Sequence, residues 1–425
     1  MSEWKKVKFL DVVSLNPRIS LEKGGEYPFV EMSNVVSGAR KPEKEVYQVY
    51  VGGGAKFEKG DTVVARIEPC LQNGKGFQCS YEKGFGSTEF LVFRPLSTKE
   101  LDCDFLYYYM GQKSIREAMA KTMVGASGRQ RVNNAVFKDL YINFPELPTQ
   151  HRIATILSRY DTLIENYQKQ IKLLEEAAQR LYKEWFVELR FPGHENTKMV
   201  DGLPEGWERK KVNSFVNLQS GYAFKSSTFE EDGMYRIVTI KNVKDGEFDG
   251  ENTSLIRQIP EKMPKHCRLK TGDILLSLTG NVGRICIVIG DGYLLNQRVA
   301  KLETRYPAFT YCLFRNNDMF ITVNNLANGA AQQNVSPIRI GELKILFATD
   351  SIMNQFENLV GTICNKIVNM HAQIRLLTEA RDRLLPKLMG GEMEVDAPKG
   401  QRATSIEQRS GHNEQTTNAP KGQKH

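Results

Sequence analysis

A repeat at a separation of 203 residues constrains the fold of this 425-residue chain more than any other feature. The segment Trp4–Phe9 is echoed by Trp207–Val212, and the Gly60-Asp61 turn before one apolar run is echoed by Gly272-Asp273 before another. The offset drifts inside the copies, as expected when insertions fall in surface loops. The sequence therefore predicts one fold that occurs twice.

Each copy is followed by apolar residues spaced alternately by four and three, and the second run lies 203 positions after the first. An ordinary amphipathic core helix would also show this spacing. Two runs in the same register favour two long helices that pack on each other as a coiled coil, because that arrangement buries both seams. The predicted seam consists of Ile153, Leu157, Tyr160, Ile164, Tyr167, Ile171, Leu174, Ala178, Leu181 and Trp185 in the first helix, and of Phe356, Val360, Ile363, Ile367, Met370, Ile374, Leu377, Arg381, Leu384 and Leu388 in the second.

The direction of the second helix follows from the connection before the second copy. This connection is short and turn-forming, since it contains Phe191-Pro192-Gly193 and Asp201-Gly202. We therefore expect an antiparallel second helix, with the two copies at opposite ends and a pseudo-twofold axis between them. Arg381 interrupts the seam, and we expect its stem to pack while its charged head reaches water. Pro386 predicts a kink or the end of the helix.

The predicted fold class is α+β. Short β-branched runs bounded by Gly, Asp and Asn fill both copies, and a helical patch follows in each, at Phe105–Met119 and Ala308–Asn324. We expect two similar strand-rich domains, joined by two long antiparallel coiled-coil helices, and a disordered C-terminal tail poor in apolar residues. The predicted boundaries are 1–148 for the first domain, 149–189 for the central helix, 190–203 for the linker, 204–348 for the second domain, 349–389 for the distal helix and 390–425 for the tail.

Polar loops in both copies are the candidate functional sites. A Gly-rich loop follows each helical patch, at 125–134 and at 329–336, and a second loop follows each Gly-Asp strand, at 66–76 and at 278–284. Arg can read guanine, and Asn or Gln can read adenine, in the DNA major groove. A solvated turn is the alternative for each loop. The candidate DNA-binding residues are Arg66, Asn73, Lys75, Ser127, Arg129, Gln130, Arg131, Asn133, Lys225, Lys241, Asn281, Arg284, Gln332, Gln333 and Asn334.

Composition permits a polyanionic partner without requiring one, since 58 Lys+Arg against 50 Asp+Glu give a formal charge of +8. The 7 cysteines are scattered and never form C-x-x-C, which favours reduced thiols over disulfides or a zinc site. We expect a cytoplasmic location, because no membrane span or signal peptide is evident. Phosphate-loop, metalloprotease and serine-hydrolase motifs are absent, so we expect no catalytic site, metal or cofactor in this chain.

Two short motifs point to one family. Leu147-Pro148-Thr149-Gln150-His151-Arg152-Ile153 looks like a P-x-x-Q-x-x-I motif in which the proline lies one position closer to the glutamine, and Leu203-Pro204-Glu205-Gly206-Trp207 looks like a P-x-G-W motif. Together with the order domain, helix, domain, helix, they make the chain resemble the specificity (S, HsdS) subunit of type I restriction-modification systems over nearly all of its length except the tail. The second helix departs from the first motif, with Asp350 and Met353 at the expected Pro and Gln.

The resemblance implies that each domain reads one half of a bipartite, asymmetric target in double-stranded DNA. The helices would set the spacer and hold two modification (methyltransferase) subunits. Those partners would bind S-adenosylmethionine and methylate adenine, and restriction subunits would add cleavage and translocation with ATP and Mg. The predicted seam is about 50 Å long, which corresponds to about 15 base pairs. Two other interpretations remain open: a coiled-coil assembly scaffold that does not read DNA, and an enzyme with a discontinuous site.

Overall fold

The computed structural model describes residues 4–126, 130–327 and 333–395. Within them, two domains of mixed helix and strand alternate with two long helices. The α-helices are α1 (Phe9–Val12), α2 (Cys103–Met110), α3 (Lys113–Ala120), α4 (Val136–Asp139), α5 (Leu147–Tyr182), α6 (Pro307–Arg315), α7 (Asn317–Ala327), α8 (Pro337–Gly341) and α9 (Asp350–Met389).

The strands divide evenly between the domains, apart from a short hairpin in the connection. Those of the first domain are β1 (Lys5–Lys8), β2 (Val13–Leu15), β3 (Glu26–Val30), β4 (Val46–Val49), β5 (Ala55–Glu58), β6 (Thr62–Ala65), β7 (Gly76–Gln78), β8 (Lys83–Gly86), β9 (Phe90–Pro95) and β10 (Tyr141–Phe144). The hairpin is formed by β11 (Met199–Val200) and β12 (Leu203–Pro204). Those of the second domain are β13 (Glu208–Lys211), β14 (Val216–Ser220), β15 (Tyr235–Val238), β16 (Ser254–Ile256), β17 (Arg268–Leu269), β18 (Ile274–Ser277), β19 (Ile285–Ile287), β20 (Tyr293–Leu295), β21 (Val299–Thr304) and β22 (Lys344–Phe347).

The two domains have the same sheet topology. The first domain contains sheets of order β2-β9-β6-β7 and β4-β3-β8-β5, and the second contains β14-β21-β18-β19 and β16-β15-β20-β17. In both, the first strand of the domain pairs with the last, β1 with β10 and β13 with β22. Each strand of one domain has its counterpart at the same place in the other. The fold predicted to occur twice is confirmed.

The sheet that contains β6 lies between the helices and the second sheet of its domain. Successive side chains of a strand point to opposite faces. Val64 therefore joins Leu91 in the core that reaches α5, while Val63 joins Val92 in a separate core against the second sheet. The sheets of each domain thus form two layers above the helix pair.

The helices α5 and α9 pack side by side and run antiparallel, as predicted. Ile153, near the start of α5, shares a core with Leu388, near the end of α9. At the opposite end, Trp185 packs on Phe356, with ring centroids 5.4 Å apart. A π-helical turn, Lys183–Val187, extends α5 at this end. Every residue of the predicted seam is buried or half-buried.

The expectation that the head of Arg381 reaches water is wrong. Its side chain is 11% exposed, and its guanidinium forms an ion pair of 2.7 Å with Asp161 of α5. It also donates to the carbonyl of Gly38 at 2.8 Å. The heptad pattern identified Arg381 as a seam residue. It did not identify Asp161, which follows the seam residue Tyr160 in the sequence and pairs with Arg381.

Each domain is also tied to α5 by a buried tyrosine. The hydroxyl of Tyr108 donates to Asp161 at 2.5 Å, and that of Tyr311, 203 residues later, donates to Glu175 at 3.1 Å. Burial raises the pKa of Glu175, while the nearby Arg315 opposes that change. These contacts fix both domains to the same helix, one near each end.

A tryptophan at the start of each domain packs against the end of a long helix. The ring of Trp207 lies 4.8 Å from that of Phe191, just after α5. Trp4 lies against Gly391, just after α9, where φ is +72° and a Cβ would approach the indole to 2.8 Å. The beginning of the first domain therefore meets the end of the second half. Helix α9 ends shortly after Pro386, as that proline predicted.

The predicted disordered tail lies almost entirely outside the described residues, which end at 395. Within the described ranges, no helix is long and apolar enough to cross a membrane. In that same part of the chain, no cluster of His, Cys, Asp and Glu is arranged to hold a metal ion.

Replacing Asp161 with Ala should destabilise the chain by about 3 kcal/mol, because it leaves the charge of Arg381 buried without its partner. The matched control is Glu165→Ala, one turn along α5, which removes an ion pair with the 56% exposed side chain of Lys41. That change should cost less than about 1 kcal/mol. Urea denaturation followed by circular dichroism measures both, and equal losses would contradict the prediction.

Candidate nucleic-acid interface

The two candidate loops of the first domain, which the sequence presents separately, lie side by side. The backbone NH of Val132 donates to the carbonyl of Arg66 at 2.9 Å, and the NH of Glu68 donates to that of Gln130 at 3.3 Å. The segment that follows β6 and the end of the Gly-rich loop therefore form one continuous surface. We call 66–68 together with 130–132 the paired loops of the first domain.

The second domain builds the same arrangement. The NH of Val335 donates to the carbonyl of Leu278 at 2.9 Å, and the NH of Gly280 donates to that of Gln333 at 3.0 Å. We call 278–280 together with 333–335 the paired loops of the second domain. Two surfaces of the same backbone geometry thus occur in one molecule.

A buried valine holds each Gly-rich loop in place. Val132 and Val335 are each 1% exposed and lie in the cores that reach the helix pair. Burial of a valine side chain contributes roughly 1.5–3 kcal/mol. The polar residues just before these valines are therefore presented from a fixed backbone.

Arg131 is held in a defined orientation by an ion pair. Its Nε lies 2.9–3.0 Å from the two carboxylate oxygens of Glu89, and its Nη2 lies 2.5 Å from one of them. The hydrogen bond from Arg131 lowers the pKa of Glu89. The arginine side chain stays 50% exposed. A cation is thus held at the surface in a defined orientation.

Arg66 points inward from the same loop. Its Nη2 donates to the carbonyl of Val132 at 3.2 Å. Its Nε is buried and has no hydrogen-bond partner in the described part of the chain. The side chain therefore lies under the paired loops, at their border with an open groove.

Several predicted candidates lie elsewhere or have a local structural role. Lys75 donates to the carbonyl of Met32 at 2.9 Å, and with Asn73 it lines a cavity of about 630 Å³ between the first domain and the end of α9. Asn133 accepts from the NH of Ala135 at 3.0 Å, which orders the turn into α4. Asn73 and Lys75 therefore face this cavity, whereas Asn133 lies next to the paired loops and stabilises a local turn.

Four candidates of the second domain lie in its paired loops or follow them closely in the chain. Asn281 and Arg284 continue the chain after Gly280, and Gln333 and Asn334 are exposed. Lys225 and Lys241 are exposed and stand apart in sequence from both loops. Three further candidates, Ser127, Arg129 and Gln332, lie outside the described residues.

Two cations that the sequence did not single out for DNA contact, Arg18 and Lys56, lie with Arg66 in an open groove of about 720 Å³. No acidic residue lines this groove among the described residues. Arg18 lies 38 residues before Lys56 in the chain, and the folding of the domain brings it to the same groove as Lys56 and Arg66. No local sequence pattern could have identified Lys56, a single lysine in β5.

Comparison with known proteins agrees with this organisation. Residues 1–176 and 204–348 match the family model of the type I restriction modification DNA specificity domain. The MjaIX specificity subunit of Methanocaldococcus jannaschii is 28% identical over 315 residues, which cover 69% of each protein. The HindI specificity subunit of Haemophilus influenzae is 21% identical, with 92% of this chain and 100% of that protein covered.

A solved structure shows the same fold. The S subunit of a type I restriction-modification system from M. genitalium superposes with a TM-score of 0.56 at 19% identity, and the match covers 91% of this chain and 96% of that one. The first matched segment covers the first copy of the fold and most of α5, and the second covers the second copy. The chain therefore belongs to the family of type I restriction-modification DNA specificity proteins.

Proposed function

We propose that this chain is the non-catalytic subunit that selects the DNA sequence for a type I restriction-modification complex. Each domain reads one half of a bipartite target in double-stranded DNA, and the helix pair sets the distance between the halves. The observation that carries this proposal is the presence of two pairs of loops, joined by equivalent backbone hydrogen bonds but with different side chains, at opposite ends of one helix pair. Such a molecule can place two different recognition surfaces on one duplex.

The helix pair also offers two matching docking surfaces. Six positions on the outward face of α5 carry the same residue as the position 203 later in α9, and all of these residues are exposed or half-exposed. The pairs are Asn166 and Asn369, Gln170 and Gln373, Leu173 and Leu376, Glu176 and Glu379, Ala177 and Ala380, and Arg180 and Arg383. Exposed leucines within such faces are typical of protein interfaces. Two equal surfaces fit two copies of one methyltransferase subunit.

In this proposal the chemistry belongs to the partners. The methyltransferase subunits bind S-adenosylmethionine, and restriction subunits use ATP and Mg. We expect the complex to assemble in the cytoplasm. This chain contributes its two DNA-binding surfaces and its two helical faces.

The direct test is to co-express the chain with the methyltransferase encoded beside it and to sequence the methylated bases of the host DNA. A two-part motif is expected. Exchanging residues 1–145 for another recognition domain should change one half of that motif and leave the other intact. Methylation without a two-part motif, or a change in both halves, would reject the two-domain proposal.

Replacing Arg18 and Lys56 together with Gln should weaken binding of the assembled complex to all duplexes alike. Cations that contact phosphates contribute to affinity without reading sequence, and the salt slope should fall by about 1 for each. The control is Lys59→Gln at the other end of β5, where the side chain is 68% exposed. Fluorescence anisotropy at several salt concentrations measures the dependence of affinity on salt for the double variant and for the control. An unchanged salt slope for the double variant would show that this groove does not contact phosphates.

Leu173→Asp and Leu376→Asp should each remove one of two bound methyltransferase subunits, because a charge replaces an apolar contact at one docking face. The two leucines are 64% and 50% exposed, so the fold should tolerate the change. Native mass spectrometry gives the stoichiometry. Leu359→Asp is the matched control, since this leucine is 47% exposed but lies outside the repeated faces. Retention of two subunits by both variants would argue against these faces.

A further inference from the structure

Arg131 and Asn334 occupy the same place in the two domains. They lie 203 residues apart, each between a glutamine and a buried valine. Arg131 forms a bridge with Ile67, and Asn334 forms the equivalent bridge with Thr279. The backbone hydrogen bonds that join the paired loops are the same on either side of both positions, and the backbone of Arg131 bonds in addition to that of Val124.

The first domain orients its residue for one kind of base. Glu89 occupies the Nε and Nη2 edge of Arg131. A guanidinium is planar, so this contact fixes the direction of the opposite edge, formed by Nη1 and Nη2. That edge can donate two parallel hydrogen bonds to O6 and N7 of guanine.

The second domain orients its residue for a different base. The hydroxyl of Thr279 donates to Oδ1 of Asn334 at 2.9 Å, which fixes the plane of the amide. The amide oxygen keeps a second lone pair, and the amide nitrogen carries two donors. An asparagine presented in this way can pair with N6 and N7 of adenine.

The charge beside each position supports this assignment. The carbonyl of Glu89 accepts from Arg66 at 2.9 Å, and the carbonyl of Arg298 accepts from Leu278 at 3.0 Å, so Glu89 and Arg298 are equivalent. The carboxylate of Glu89 favours a cation at the neighbouring position 131, whereas the exposed cation of Arg298 disfavours a second cation at position 334. Each domain therefore has surroundings suited to its own side chain.

We propose that Arg131 reads a guanine in the half-site of the first domain and that Asn334 reads an adenine in the half-site of the second. Glu89 and Thr279 are the positioning residues. This inference rests on the proposed function, because it assumes that each domain contacts one half of the target. The inference identifies the residue that contacts a base in each half-site and the base that it recognises.

The experiment uses the chain assembled with its methyltransferase subunits. The wild-type motif is read from the methylated bases, and exchange of residues 1–145 assigns its halves. In one variant, Arg131→Asn is combined with Ile67→Thr, and in the other, Asn334→Arg is combined with Arg298→Glu. Each variant thus receives the reading residue and one neighbour from the opposite domain.

The first variant should shift one position of the first half-site from guanine toward adenine, and the second should shift one position of the other half-site from adenine toward guanine. Binding to the original target should weaken roughly 5- to 150-fold, the range for loss of one bidentate contact. Lys59→Asn, an exposed cation of the first domain, is the control and should leave the motif unchanged.

A first half-site without guanine, or a motif unchanged in both variants, would overturn the inference while leaving the two-part motif intact. Absence of any two-part motif for the wild-type chain would instead reject the proposed function. If a variant does not assemble, Glu89→Gln provides the test. It should reduce discrimination in favour of guanine without changing the preferred base, and full retention of discrimination would count against the positioning role of Glu89.

Discussion

The antiparallel packing of α5 on α9 is the contact on which the rest of the structure depends. Each helix starts in the core of one domain and ends in the core of the other, so the spacing of the domains is the length of the pair. Apolar seams allow sliding by a heptad, but the buried pair of Asp161 and Arg381 does not, since a shift would leave both charges without partners. At the opposite end, the equivalent residues are Cys364 and Ala178. One end therefore fixes the register of the helices, while the other end supplies apolar packing.

The sequence predicted the long helices well because a heptad pattern is local and was present twice. The pairing of the strands was harder to predict than the helices, because the parallel pair of β3 and β8, for example, joins residues more than 50 positions apart. The contacts between the loops were hard to predict for the same reason. Their polar composition was visible, but the contact between 66–68 and 130–132 depends on folding, and so does the position of Lys75 against Met32. Arg381 was misplaced because a heptad pattern does not show which residue beside the seam carries the opposite charge.

Within this one chain, some features repeat and others differ. The outward faces of α5 and α9 share six side chains at equivalent positions, so a partner protein that contacts these positions on one helix can contact them on the other in the same way. The paired loops share their backbone hydrogen bonds but carry Arg131 in one domain and Asn334 in the other. Twofold symmetry is thus kept where a protein would dock and is broken where a base would be read. A symmetric assembly can in this way act on an asymmetric stretch of duplex.

The packing of Trp4 against Gly391 has a consequence for how such a chain can be divided. Because the start of the first half meets the end of the second, the molecule is closed into a ring in space, and the connection at 190–203 is one of two equivalent junctions. The two halves follow each other in the same order around the ring whether the chain is continuous through 190–203 or through a link between 391 and 4. A chain opened at 192–198 and joined between 391 and 4 would contain the same cores, the same helix pair and the same loops. Two copies of a single half would lack one member of the Asp161–Arg381 pair, because Ala178 and Cys364 stand at the equivalent positions. The buried ion pair therefore favours a ring made of two different halves.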